Sequence, residues 1–575
     1  MYERNYELLR SKFQEFFLPT LFTSMAGNIC LFVDGLIVSF LIGAGNLAPI
    51  QSVAPVITFV NLVYWMIGLG GSVLCSVSKA EFDDEKSNSY FSVAITSLLS
   101  IGLLITIIGL LFSNNIAQML CISQPELAFS VNSYFIALII GMPFLCYMMS
   151  LSYFIRADGI PTLPFRAILV ANIVNICCDI IYIKFMGMGL SGAALATSTG
   201  YIVGSLIISY YFFKPERTLK FLKLKVKSLF NYLGQIVKSG FSSSSTQLYL
   251  TLKLFIVNIL AGMYLGKSGI VAFGICYNSL FILYIFLIGT AQTMSPIVSV
   301  YFKEEDFSGV NYIIKRSLKI VVVASLALSV LFIVCPQVLL LLYSVKNPSD
   351  IPVVLNAVRI FAISYVGTAI TFLYTFYAQA IQKNQLSTII SLLEGFAAPI
   401  GFAVLLSFLF GGNGIWISFA IAEAVTILFI LVYSRYINKK TDGEYSNFFI
   451  NKHNDEESVF EHTINGDINE AVSLSRDVHE YLSDNKSAAL VSLAIEEMLV
   501  NIININENVG TIDVIVRDNE EDILISIKDT GIDFNPVAES DDLKFDNIGV
   551  LNKIADKIDY SRVLGLNSTV ITIKN

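Results

Sequence analysis

The chain of 575 residues is 55% hydrophobic and only 14% charged, with a mean hydropathy of +0.68. A water-soluble protein of this length carries far more charged surface, so a wholly soluble enzyme or binding protein is excluded. The net charge of −8 is unevenly divided: residues 455–575 hold 25 acidic and 9 basic side chains, against 20 and 28 in the rest. A basic membrane body therefore precedes an acidic soluble tail.

Met1–Lys12 is charged and runs into a long apolar helix containing Pro19, without the short apolar core and small-residue cleavage site of a signal peptide. Apolar windows long enough to span hydrocarbon then recur, near 14–43, 47–78, 89–112, 130–155, 163–187 and 190–213. A second set lies near 235–264, 268–302, 312–343, 354–381, 386–410 and 414–437. The pattern predicts an all-α membrane bundle of twelve transmembrane helices. Most loop Lys and Arg fall on one side, from Arg4, Arg10 and Lys12 through the connector Lys214–Lys227 to Lys439 and Lys440. The positive-inside rule then places both termini in the cytoplasm of a cell-membrane protein.

An internal repeat divides the bundle. Gly68-Leu-Gly-Gly and the polar patch Lys79–Lys86 are echoed by Gly289–Pro296 and Tyr301–Asp306. Met188–Gly192 is echoed by Gly412–Trp416. Both halves start on the same side, as in transporters whose parallel six-helix repeats bind substrate between them and rock.

Asn175 and Asp179 are four residues apart in an apolar run, hence on one helix face. A carboxylate in hydrocarbon is costly and usually faces a bundle interior or watery cavity, where it serves transport; the simpler alternative is a hydrogen bond to a neighbouring helix. The second half carries Lys253, Glu394 and Glu423 in apolar runs. A lone buried lysine is costly, so Lys253 is expected to pair with Glu394, and Glu423 to be a helix-end acid near the interface. The eight cysteines all lie in or beside apolar runs without a CxxC, and the chain has 3 histidines; neither disulfides nor a His-based metal site is expected.

Leu18-Pro19, Asp34-Gly35, Ile155-Arg-Ala-Asp-Gly159, Asn175-x-x-x-Asp179, Gly189–Thr197 and Gly289–Pro296 together resemble the multidrug and toxic compound extrusion (MATE) family of cation-coupled exporters. The resemblance covers about residues 10–437. It implies a first-half site for Na⁺ or H⁺ made by Asp34, Asn175, Asp179 and Thr197, and a small organic substrate. Burial and a second acid nearby suit proton exchange, while carboxylate, amide and hydroxyl oxygens also suit a hard cation.

Residues 438–458 read as a polar linker. Beyond it the pattern becomes a small α/β domain: strands at 460–464, 511–516, 523–528, 558–563 and 568–574, with helices at 469–483, 487–504 and 548–557. Glu497-Met-Leu-Val-Asn501, Asp529-Thr-Gly-Ile-Asp533 and Asn547-Ile-Gly-Val550, in that order, resemble the GHKL ATPases, specifically the anti-sigma-factor serine kinases. That resemblance implies an α/β sandwich binding ATP and Mg²⁺. Asn501 would ligate the metal, Asp529 would accept from the adenine amino group, and Gly531 would give close backbone approach. Gly549 would meet phosphate, Thr569 would help hold adenine, and Glu497 would be the general base. Asp533 stands where a second glycine is usual, and Ile505 where a histidine often follows.

His479-Glu480 lacks the flanking residues of a phosphoacceptor helix and reads as a solvated helix face. The tail has no Walker A motif. The domain reading is thus a first lobe at 1–213, a cytoplasmic connector at 214–234, a second lobe at 235–437, a linker at 438–458 and an ATP-binding domain at 459–575. The expected function is cation-coupled export with a regulatory or signalling ATP-binding domain. The alternatives are a membrane-anchored serine kinase acting on an anti-anti-sigma-like partner and a flippase for lipid-linked sugars. The lipid bilayer is an expected partner; nucleic acid is not.

Overall fold

The computed structural model describes residues 4–42, 47–120, 127–343, 348–440, 459–483, 485–506, 510–519, 522–535 and 547–575. Most of the expected linker and the acidic loop at 538–546 lie outside the described residues, as do some side chains within helices, Asp34 and those of 547–550 among them.

Helices occupy every window that the apolar runs mark. The first lobe comprises α1 (Glu7–Ile42), α2 (Leu47–Tyr64), α3 (Gly70–Ala80), α4 (Asp84–Leu111), α5 (Ser113–Leu120), α6 (Ala128–Ile139), α7 (Met142–Ala157), α8 (Thr162–Asp179) and α9 (Gly189–Ile208). The second comprises α10 (Val226–Lys303), α11 (Phe307–Val334), α12 (Gln337–Leu342), α13 (Asp350–Phe361), α14 (Tyr365–Ala380), α15 (Asn384–Leu392), α16 (Ala398–Phe410) and α17 (Gly412–Lys440). α10 is two helices joined at Gly266, whose φ of +60° breaks the run. Among the described residues ten helices are long and apolar enough to cross a membrane, or up to eleven if the bent pair α6–α7 is one span. One of these, Ala488–Ile505, packs inside the tail and is not a span. Leu111, Phe408 and Phe410 stand 73%, 81% and 62% exposed, as side chains meeting lipid do.

The repeat is visible in the turns. Between α3 and α4, Phe82 takes a left-handed φ of +59°, and Asp83 caps the next helix by accepting from the Lys86 N–H at 2.9 Å. Between α10 and α11, Glu305 takes φ +60° and Asp306 accepts from the Gly309 N–H at 2.9 Å. Neither turn has a glycine at the left-handed position, so each stores backbone strain that its cap and packing offset.

At this end of the bundle the lobes are closed on each other. Lys303 meets Glu81 at 2.8 Å, and Arg156 donates to Gln292 at 2.5 Å. A Cβ on Gly70 would lie 2.6 Å from the Gly240 nitrogen, so α3 and α10 touch backbone to backbone. The seam beside Ser72, Arg156, Gln292 and Ser295 leaves about 10 Å³, room for barely one water. The Ile155–Gly159 motif is a staple at the same end: Asp158 binds Lys79 at 2.5 Å, Tyr211 at 2.6 Å and the Thr218 N–H at 3.1 Å.

The tail is a five-stranded antiparallel sheet of β1 (Val459–Ile464), β2 (Ile512–Asp518), β3 (Asp522–Asp529), β4 (Lys557–Val563) and β5 (Leu566–Lys574), in the order β1-β2-β3-β5-β4. Val514, Val516, Ile523, Ile525, Ile527, Ile571 and Ile573 share one core with α18 (Ile468–Tyr481) and α19 (Ala488–Ile505), beside α20 (Asn547–Ile554). The alternate residues Asp513, Arg517, Lys528 and Ser568 point to the opposite face and are 0%, 7%, 3% and 3% exposed. That second face rests on the closed end of the bundle.

Candidate functional sites

In the first lobe, α8 packs closely on both α1 and α9. The small residue at Gly200 permits this, because a Cβ there would lie 2.7 Å from the Ala171 carbonyl and 3.2 Å from the Asn175 Cβ. Asn175 is thereby brought to Thr197, donating from Nδ2 to Oγ1 at 3.3 Å, while Thr197 donates to the Ala193 carbonyl at 3.1 Å. Asp179, one turn on, is fully buried at the point where α8 passes into a π-type turn at Ile180–Phe185. Such turns recur at functional sites. Asp34 is carried by α1, which packs on α8, but its side chain lies outside the described residues. The expected set thus gathers at one helix junction as far as it can be followed.

The second lobe departs from the expected pairing. Among the described residues Lys253 makes no ion pair within 4.0 Å; its Nζ sits 5.9 Å from the Phe419 ring centre, within reach of the fields of both Glu394 and Glu423. Glu394 is 3% exposed in a π-type turn at Leu393–Ala397, and its Oε2 has no hydrogen-bond partner among the described residues. Glu423 is not an interfacial helix-end acid. It lies well inside α17, 6% exposed, accepting from Thr368 at 2.9 Å and Thr371 at 2.7 Å on α14. The arrangement is one lysine that feels the charge of two acids. The Thr368-x-x-Thr371 spacing, two hydroxyls on one helix face, was the signal available in the sequence.

In the tail, α19 carries Glu497, half-buried, and Asn501, fully buried with neither amide atom hydrogen-bonded among the described residues. A buried amide with both polar atoms unspent is costly unless a further group meets it, so Asn501 fits an oxygen donor for a metal–phosphate group. Asp529 ends β3, accepting from the Gly531 N–H at 2.7 Å and from Asn567 at 2.9 Å. Burial raises its pKa, against the pull of those donors and of Arg562. Gly531 is needed for close approach, since a Cβ would lie 2.6 Å from the Asn506 amide. Thr569 is buried opposite Ile527 on β3. Gly549 falls in the first turn of α20, with its surroundings outside the described residues. Sequence reading missed Asn506, Arg562 and Asn567, which close the turn after Asp529: Arg562 donates to the Gly531 carbonyl at 3.3 Å and to Asn567 at 3.0 Å. A pocket of about 540 Å³ opens beside this turn, and its far wall is Pro215 and Glu216 of the inter-lobe connector.

The MatE family profile matches twice, over residues 19–181 and 243–405, together more than half of the chain and once per lobe. The chain belongs to the MatE family. It is a multi-pass membrane protein, and the two matches of this MatE chain are the two repeats read from its turns. It is 26% identical over 428 residues to the multidrug export protein MepA of Staphylococcus haemolyticus, covering 73% of this chain and 92% of the relative. The MepA protein of Staphylococcus saprophyticus is 23% identical over 414 residues, covering 72% and 90%. Among solved structures, an outward-facing multidrug-resistance MATE transporter aligns at a TM-score of 0.68 and 20% identity, over 75% of this chain and 96% of that one. A MOP-superfamily transporter from Pyrococcus furiosus aligns at 0.68 and 19%, over 77% and 99%. These likenesses carry the MatE fold. The family profile's second match ends at 405, before the tail begins.

Proposed function

We propose that this chain is a cation-coupled exporter of small organic compounds, in line with the multidrug export named for its MepA relatives, and that its tail is a GHKL-like domain binding ATP with Mg²⁺. The observation that carries the export reading is the buried junction of Asp179, Asn175 and Thr197 in a MatE bundle, on a helix that packs against α1. A carboxylate held in a low-dielectric junction among oxygen ligands takes up and yields a proton or Na⁺ as water reaches it from one side or the other. Rocking of the two lobes makes that access alternate. The domain-bearing end is the cytoplasmic one, in keeping with its excess of Lys and Arg.

In the tail, Asn501 would hold the metal, Asp529 and Thr569 the adenine, Gly531 and Gly549 the backbone approach to the nucleotide, with Glu497 beside them as base. When bound, ATP with its metal supplies a transferable phosphoryl group. What this chain's residues do is position: Asn567 and the Gly531 N–H aim the Asp529 carboxylate, and Arg562 fixes the turn that carries both.

Flux in reconstituted vesicles tests the reading. An imposed proton or sodium gradient should drive export of an organic-cation dye, and Asp179→Asn should reduce it to the level of empty vesicles. Export that follows ATP alone and ignores both gradients and Asp179→Asn would remove the coupling assignment.

A further inference from the structure

The tail's sheet is fastened to both lobes at once, at the end where the lobes are closed. On the second lobe the fastening is ionic. Lys528 binds Glu304 at 2.6 Å and lies 3.5 Å from Asp306, above the Tyr301 ring at 3.6 Å. Ser568 donates to Glu304 at 3.0 Å, and Arg517 to the Glu304 carbonyl at 3.1 Å. Arg4, which precedes α1 of the first lobe, is 5% exposed and bridges Asp306 at 2.9 Å to Asp513 at 2.7 Å. Ser308 donates to Glu461 at 2.7 Å.

On the first lobe, apart from the Arg4–Asp513 pair, the fastening is apolar and backbone-close. Val563 and Leu564, at the β4–β5 turn, are each 2% exposed and belong to the bundle's own hydrophobic core. At the tip, a Cβ on Gly159 would lie 2.4 Å from the Gly565 nitrogen. The sheet therefore bridges the seam that Lys303–Glu81 and Arg156–Gln292 close beneath it.

We infer that the tail is a clamp across the two lobes, and that it lets go of the second lobe whenever this end of the transporter opens. This rests on the exporter reading, in which the lobes must part here once per cycle. A rigid sheet cannot stay seated on two bodies that separate. The charged side is the one to release, because Lys528, Arg517 and Glu304 regain water on parting and offset their lost contacts. Withdrawing Val563 and Leu564 would instead expose apolar surface with nothing in return. The releasing strand is also the one that ends in Asp529, so the proposed nucleotide site adjoins the side that moves.

Two measurements decide it. In the full-length protein, Glu304→Cys with Ser568→Cys should form a disulfide that pins the domain to the second lobe. Dye export should then be lost on oxidation and return on reduction. Export at equal rates in the oxidised and reduced forms would overturn the clamp. Independently of transport, spin labels on Asp84→Cys and Lys315→Cys report the gap between the lobes, with exposed Cys177 and Cys335 replaced by serine. Adding Lys528→Met and Arg517→Met should shift the distances toward a separated population, and an unchanged distribution would equally sink the proposal. If the reduced cysteine pair exports nothing under any gradient, the exporter reading fails, and the spin-label distances still judge the clamp.

Discussion

Asp83 and Asp306 occupy the same position in two copies of one turn, and their surroundings differ completely. Each follows a left-handed residue and caps the helix after it at 2.9 Å. Asp83 is exposed, whereas Asp306 is 1% exposed, with Arg4 and Lys528 against it. Burial alone would raise the pKa of Asp306; the two cations outweigh that and hold it well below the usual carboxylate range. The lobes diverge in their interiors as well. The first gathers an acid, an amide and a hydroxyl, and the second sets a lysine within the fields of two acids. One repeated scaffold thus carries an acid, amide and hydroxyl junction in one half and a lysine–glutamate cluster, plus a docking post, in the other.

The sharpest way to break that comparison is to truncate the two aspartates. Asp306→Ala removes a cap and also strips buried Arg4 of its bidentate partner, leaving Asp513 at 2.7 Å and Glu461 at 3.9 Å, a loss of about 3–5 kcal/mol. Calorimetry in detergent should show the tail melting apart from the bundle. If Asp306→Ala leaves one cooperative transition at the original temperature, the buried network contributes nothing to docking.

The interiors can be set against each other with threonine-to-valine changes. Thr371→Val strips a 2.7 Å donor from the buried Glu423 carboxylate and should cost about 1–3 kcal/mol in thermal unfolding. Thr197→Val removes a longer bond of 3.3 Å at a half-buried position, and about 0.6 kcal/mol is expected. Equal losses would mean that the two polar clusters are packed alike.

Much of this was legible in the sequence, for a physical reason. Lipid forces every backbone group to bond within its own helix, so apolar runs report helices directly; β1 to β5 followed from period-two alternation. The same alternation is silent on what the second face of the sheet meets. Asp513, Arg517 and Lys528 alternate with the core residues, and a charged face in contact with water and one in contact with opposite charges have the same spelling. Arg4 read only as a positive-inside loop residue, yet it joins three parts of the chain. Glu423 was misplaced because its two donors come from α14, which local pattern cannot bring near. Asn175 was found from its spacing to Asp179 and Thr197 through resemblance, and Gly200 is what lets them meet.

A smaller effect belongs to the exposed twin. Asp83→Ala should cost about 1 kcal/mol, the value of a helix cap alone. The same calorimetric trace as for Asp306→Ala should therefore show a slight shift of the bundle transition with the tail still attached. Undocking by Asp83→Ala would show that the turns are interchangeable after all.

The mildest test is acidification. Burial pushes Glu81 up, but Lys303 and Lys86 outweigh it and hold it below its ordinary value. With Asp306 it therefore contributes stability that is present above the ordinary carboxylate pKa and lost only as pH falls through the depressed one. Glu461 runs the other way. Burial and then the Asp306 charge raise it, against Arg4 and Arg517, so docking gains as pH falls through its raised pKa. Between pH 7 and 5, then, the ionic fastening stays or tightens slightly, and neither Asp306 nor Glu81 takes up a proton. Spin-label distances across the seam should be the same at the two pH values, or marginally shorter at the lower. Separation of the labels at pH 5 would mean that some other acid, not these three, sets how the second lobe holds the sheet.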